Sequence, residues 1–164
     1  MSRFIQSLAV AALVAGLASS AAAQSNSGSI TATAVVQQPI NVNGAVNLQF
    51  GNVFPGVNKA VLLTDPGAGR FDVTGQASTP VNLAFTALPT NLANGGSNLP
   101  VAFTSGYNTS NSASGATTFA PGSGTSTSLS GTGALYVFLG GTVTPAVNQA
   151  AGTYTGTVTL QVTY

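Results

Sequence analysis

GTYTGTVTLQVTY, residues 152–164, alternates without a break. Tyr154, Gly156, Val158, Leu160, Val162 and Tyr164 fall on one side, and Thr155, Thr157, Thr159, Gln161 and Thr163 on the other. A period of two with one mainly apolar side and one polar side is the pattern of a β-strand with one buried face. The stretch runs to the last residue of the sequence, and an uncovered apolar edge invites pairing. Its free edge is therefore expected to be covered by an earlier segment of this chain or by another chain.

The same period recurs upstream. Ile30, Ala32, Ala34 and Val36 alternate with Thr31, Thr33 and Val35. Ile40 and Val42 follow Pro39, and Asn43-Gly44 predicts a turn before Val46, Leu48 and Phe50. Pro55-Gly56 and Asp65-Pro66-Gly67 punctuate strands expected over residues 60–63 and 70–73. Val81, Leu83 and Phe85 form a further run, and Asn94-Gly95-Gly96 a turn before Leu99, Val101 and Phe103. Leu135, Val137 and Leu139 alternate with Tyr136 and Phe138, a run apolar on both faces and so central in a sheet, with Gly140-Gly141 expected to end it. No helical period competes. The expectation is an all-β, immunoglobulin-like β-sandwich, either complete or short of one strand that a donor segment supplies.

Residues 105–133 depart from this pattern. They are mostly Ser, Thr, Gly, Ala and Asn, with Tyr107, Phe119 and Leu129 as the larger apolar residues. The composition predicts a long flexible surface excursion with one weak strand near Ala116 to Phe119. Asn108-Thr109-Ser110 matches a glycosylation acceptor, a short pattern of low specificity.

The first 23 residues form a secretory signal pattern: Arg3 at the start, an apolar run from Leu8 to Leu17, and Ala21-Ala22-Ala23 as the cleavage site before Gln24. The run is too short for a spanning helix, which needs ~20 apolar residues. Cleavage leaves a single β-sandwich domain over residues 24–164, long enough to bury a core without disulfides. The expected location is therefore the periplasm in transit, then the cell surface or the medium.

Charge nearly vanishes after the signal. Lys59, Asp65, Arg70 and Asp72 are the charged side chains beyond residue 23, and they cancel. No basic patch is available for nucleic acid or acidic lipid, and a neutral surface lacks the self-repulsion that keeps copies apart. The chain has no Cys, His or Glu. Thiol and histidine nucleophilic machinery and His/Cys metal sites are thereby excluded, and no cofactor is expected. Asp65 and Asp72 read as solvated charges balancing Arg70 and Lys59 rather than as a paired-carboxylate catalyst. Gly131-Thr132-Gly133 fails as a nucleotide loop because Tyr136 stands where a third glycine belongs. An enzyme is not expected.

A resemblance adds to this. Leu48-Gln49-Phe50-Gly51, the following Asn52-Val53-Phe54-Pro55-Gly56, and the ending Ala151-Gly152-Thr153-Tyr154-Thr155-Gly156-Thr157-Val158 resemble the bacterial secreted family of domain of unknown function 4402. They are more distantly similar to the spore-coat-U-like pilins of archaic chaperone-usher fimbriae, although the cysteine pair usual in those pilins is missing. The pilin likeness implies an incomplete sandwich whose groove is filled by a periplasmic chaperone, working with an usher, and then by the N-terminal extension of the next subunit. Carried over, Ile30, Ala32, Ala34 and Val36 are the donor residues, and Val158, Leu160, Val162 and Tyr164 the acceptor edge.

Three functions remain open on the sequence. The first is a structural subunit of a surface fibre or coat that associates with itself or related subunits by β-strand addition. The second is a self-contained secreted binding module, for carbohydrate or another surface ligand, using Tyr107 or the long loop. The third is a small outer-membrane β-barrel, disfavoured by the lack of aromatic girdles. Pairing of residues 30–36 within their own sandwich stays open beside pairing with a neighbour.

Overall fold

The computed structural model describes residues 25–164, and within them the period-two runs pair as ten strands with no helix. These are β1 (Asn41–Val46), β2 (Lys59–Val61), β3 (Gly69–Thr74), β4 (Pro80–Ala87), β5 (Asn91–Asn94), β6 (Ser97–Asn108), β7 (Thr117–Phe119), β8 (Thr125–Ser128), β9 (Ala134–Val143) and β10 (Thr159–Thr163). The larger sheet runs β1-β3-β9-β6-β5, with β2 also on β9 and β7 also on β6, and the smaller runs β10-β4-β8. Every pairing is antiparallel. The fold is a β-sandwich. Both sheets keep free edges, whereas a barrel needs one sheet closed on itself. No helix among the described residues is long and apolar enough to cross a membrane.

Alternation decides which side chains enter the core. Val73 from β3, Val81 and Leu83 from β4, Leu135 and Val137 from β9, and Leu160 from β10 are buried in one cluster between the sheets, joined by Leu129. Each such burial stabilises by ~1.5–3 kcal/mol. β9 is central, as its two-sided apolar pattern predicts, with β3 and β2 on one side and β6 on the other. It does not stop at Gly140-Gly141 but runs through them to Val143. Here the glycines serve close approach: a Cβ on Gly140 would sit 2.5 Å from the Val61 carbonyl oxygen, and one on Gly141 2.6 Å from that of Ala102.

Several expectations need correction. Asn43-Gly44 is not a turn but the middle of β1, where a register shift between Gly44 and Val46 takes up the irregularity. Residues 105–133 are not a long unstructured loop: β6 continues to Asn108, β7 forms at the place expected, and β8 pairs with β4. Edge strands need little apolar content, and β-branched threonine suits them. Ser126 Oγ donates to Asn82 Oδ1 at 2.6 Å across the β8–β4 pair. Asn108 closes the turn after β6, its amide donating to the carbonyls of Ser112 and Ser114 while its oxygen accepts the Ser110 N–H. Tyr107 is half-buried and packs on Phe119 with ring centroids 6.0 Å apart.

The N-terminal part differs most. Among the described residues the first strand begins at Asn41, after the run expected over residues 30–36. Residues 25–40 carry no strand, and neither sheet contains the run expected over residues 30–36. Ile30, Val35 and Val36 are 97%, 83% and 94% exposed. Alternation alone makes a strand only where a partner backbone stands alongside. The signal pattern of residues 1–23 lies outside the described residues.

Candidate functional site: an apolar groove between two unpaired segments

Two runs that read as strands find no ladder. After Val46 the chain of Asn47 to Val53 leaves β3, and among the described residues the Gln49 N–H, donating to the Gly67 carbonyl at 2.8 Å, ties it back by the backbone. The cause is its partner: β3 starts at Gly69, and before it the chain turns through Asp65 and Ala68, with the Asp65 carboxylate accepting the Leu62 N–H. At the other end, among the described residues, the backbone of residues 152–158 pairs with a sheet only at the isolated bridge Ala93–Thr155. Their continuation β10 pairs with β4 from Thr159 opposite Ala87 onward. Beyond Ala87, Leu88 and Pro89 follow, and proline has no N–H to extend a ladder.

Between these two segments lies a groove of about 1060 Å³. One wall is Leu48, Phe50 and Val53, the other Tyr154, Gly156 and Val158. Its floor is the inner face of the larger sheet, formed by Phe71 of β3, Leu139 of β9, Leu99 and Phe103 of β6, and Leu92 of β5. The three-stranded sheet covers only part of that face. A second buried cluster, Leu99, Val101 and Val143 with Phe50, Val53, Leu92, Phe103 and Tyr154 against it, borders the groove. Tyr154 is fixed as a wall by its hydroxyl, which donates to the Ala150 carbonyl at 2.8 Å and accepts from Gln149 Nε2 at 2.7 Å.

The sequence-derived residues fall as follows. β10 is an edge strand, with Leu160 buried, Val162 half-buried and Tyr164 exposed. Val158, half-buried ahead of β10, is the member of the expected acceptor set that lines the groove. Tyr164 lies away from it, its hydroxyl bonded to Gln38 and Gln76. Ile30, Ala32, Ala34 and Val36 are exposed in the strandless N-terminal stretch. Sequence reasoning missed the wall of Leu48, Phe50 and Val53 and the floor of Phe71, Phe103 and Leu139. Their alternation was visible, but the loss of their neighbours was not.

The charged residues are accounted for elsewhere. Arg70 and Asp72 form a two-point pair, Nε to Oδ1 at 2.6 Å and Nη2 to Oδ2 at 3.2 Å, with the guanidinium 6.0 Å from the Tyr136 ring centre. Neither Asp65 nor Asp72 lines the groove. Among the described residues no three His, Cys, Asp or Glu side chains gather as metal ligands. Among the described residues, what the groove offers is apolar surface between two strand-like segments that are in neither sheet.

Comparison with known proteins agrees with the motifs. The chain belongs to the family described as Domain of unknown function (DUF4402), whose model matches residues 26–164. No curated protein matches the chain.

Proposed function

We propose that this member of the family is an exported structural subunit of a bacterial surface fibre or coat, without enzymatic activity, assembled by β-strand addition into the groove. The observation that carries the reading is the coincidence of two unpaired strand-like walls with an apolar floor. An extended segment laid between Leu48–Val53 and Tyr154–Val158 gives both walls backbone partners and covers Phe71, Phe103 and Leu139. Each backbone hydrogen bond gained contributes ~0.5–1.5 kcal/mol net. Each well-buried aliphatic side chain adds ~1.5–3 kcal/mol.

Exposure of Ile30, Val35 and Val36 in a chain with almost no charge supplies a segment with a reason to insert. The test uses a synthetic peptide of residues 26–37, NSGSITATAVVQ, added to the exported protein. Backbone amides of residues 47–53 and 154–158 are expected to gain hydrogen-exchange protection as the peptide saturates. Unchanged exchange at both walls would remove the reading.

A further inference from the structure

Four residues stand in one row across the outer face of the larger sheet. Asn43 of β1 is paired with Asp72 of β3, Asp72 with Tyr136 of β9, and Tyr136 with Asn108 of β6. Their neighbours in sequence, Val42, Phe71, Val73, Leu135, Val137 and Tyr107, pack inward on the core, so the period of two turns the row outward. At ~4.8 Å between strands the row spans ~14 Å. Asn43 is exposed and the other three are half-buried. The adjacent row is covered: a Cβ on Gly106 would sit 2.9 Å from Leu63 Cδ1, and Phe138, opposite Gly106, is buried. The chain following β2 thus lies over the sheet there, and the open row runs along the foot of that step.

Arg70, two residues before Asp72 on the same side of β3, holds the Asp72 carboxylate by its two-point pair and brings its guanidinium to the Tyr136 ring. Stability gives this pair little reason to exist. Aspartate is disfavoured in a strand, β3 is flanked by β1 and β9, and the two side chains are 26% and 31% exposed, where an ion pair contributes ~0–1 kcal/mol. Yet two of the four charged side chains beyond residue 23 are gathered here. A residue that breaks the local rule without a return in stability is the mark of a functional position.

We propose that this ledge is a binding site for a neutral saccharide, with Arg70, Asp72 and Tyr136 as its contact residues. The Arg70–Asp72 pair offers guanidinium donors beside carboxylate acceptors, which suits two adjacent hydroxyls, one accepting from the arginine and the other donating to the aspartate. Tyr136 supplies a flat, half-apolar ring on which the C–H face of a pyranose packs. Asn43 extends the row at its exposed end, while Asn108 bounds it, its amide being spent on the Ser112 and Ser114 carbonyls. The pair carries no net charge, so an anionic ligand finds no unbalanced cation, and a purely apolar one leaves the pair without partners. None of these residues lines the groove, so the inference is independent of strand addition and adds a second function to the subunit. Repeated on every copy of an assembly, a weak site of this kind gains by avidity.

The test is electrophoresis of the exported full-length chain in native gels cast with a soluble glucan, mannan, xylan or galactan, and with polygalacturonate as the acidic control. Retardation by at least one neutral polymer, and none by polygalacturonate, is expected. Asp72→Asn keeps the size and removes the carboxylate charge, and Tyr136→Ala removes the ring; each should weaken the retardation about 10-fold or more. Tyr136→Phe keeps the ring and should keep the retardation. Circular dichroism melts check that the variants are folded, and if Tyr136→Ala is not, Asp72→Asn decides. The inference is overturned if no neutral polymer retards the protein, if polygalacturonate alone does, or if folded Asp72→Asn is retarded as strongly as the parent. Protection of the groove walls by the peptide of residues 26–37 should be unchanged in Asp72→Asn, which separates failure of this site from failure of strand addition.

Discussion

Ala34→Asp and Leu160→Asp put the same carboxylate on two residues of like periodicity, and the structure sets their costs far apart. Leu160 is 6% exposed and sits in the cluster of Val73, Val81, Leu83, Leu129, Leu135 and Val137. Truncating such a leucine costs ~2–5 kcal/mol. Burying an unpaired charge in its place adds several kcal/mol more. Together these rival the whole stability of a domain, ~5–15 kcal/mol. Leu160→Asp is therefore expected to leave no folded monomer. Ala34 is exposed and belongs to no strand, so Ala34→Asp is a surface change worth within about ±0.5 kcal/mol to the monomer. In the filled groove the same carboxylate is desolvated without a partner, a loss of several kcal/mol and more than a 100-fold weakening of assembly. Circular dichroism melts read the first quantity and size-exclusion chromatography the second. Should Ala34→Asp lower the melting temperature as far as Leu160→Asp does, residues 30–36 are packed in their own sandwich and the reasoning is refuted.

Tyr164→Phe deletes one hydroxyl from two hydrogen bonds at a partly exposed site, so about 1–2 kcal/mol of stability should go, seen as a fall of several degrees in melting temperature. Gly133→Ala forces a Cβ onto a backbone with φ 76° and into the Gly75 carbonyl oxygen, and should cost more than ~2 kcal/mol by urea titration. Chelation of divalent metals should leave the melting temperature unchanged, since no metal-binding side chains gather among the described residues. Intact-mass analysis of exported protein should find the chain starting at Gln24; retention of Met1 to Ala23 would end the exported-subunit reading.

Much of the sandwich was legible because its information is local. Alternation in Val81-Leu83, Leu99-Val101, Leu135-Val137 and Leu160-Val162 names both the strand and the face it buries, and the Asn94-Gly95-Gly96 signal marks the β5–β6 hairpin. Composition bears on chemistry as well, since a chain without Cys, His or Glu cannot build thiol or histidine nucleophiles or His/Cys metal sites. Residues 105–133 depart from the expectation because weak hydrophobicity does not by itself mean lack of structure. β8, TSTS, holds by backbone pairing at an edge, where an apolar side chain is not required.

Tertiary structure alone decided which alternating runs obtain partners. Leu48-Phe50, Tyr154-Val158 and Ile30-Val36 have the same period as the paired strands, yet all three lack a ladder. For the first, β3 begins only at Gly69; for the second, β4 ends at Ala87 with Pro89 beyond. A strand is a property of two backbones, and the sequence of one names its faces but not its neighbour. The groove and the bonds of the Tyr164 hydroxyl to Gln38 and Gln76 exist only once the sheets are laid side by side, because each joins residues far apart in the chain.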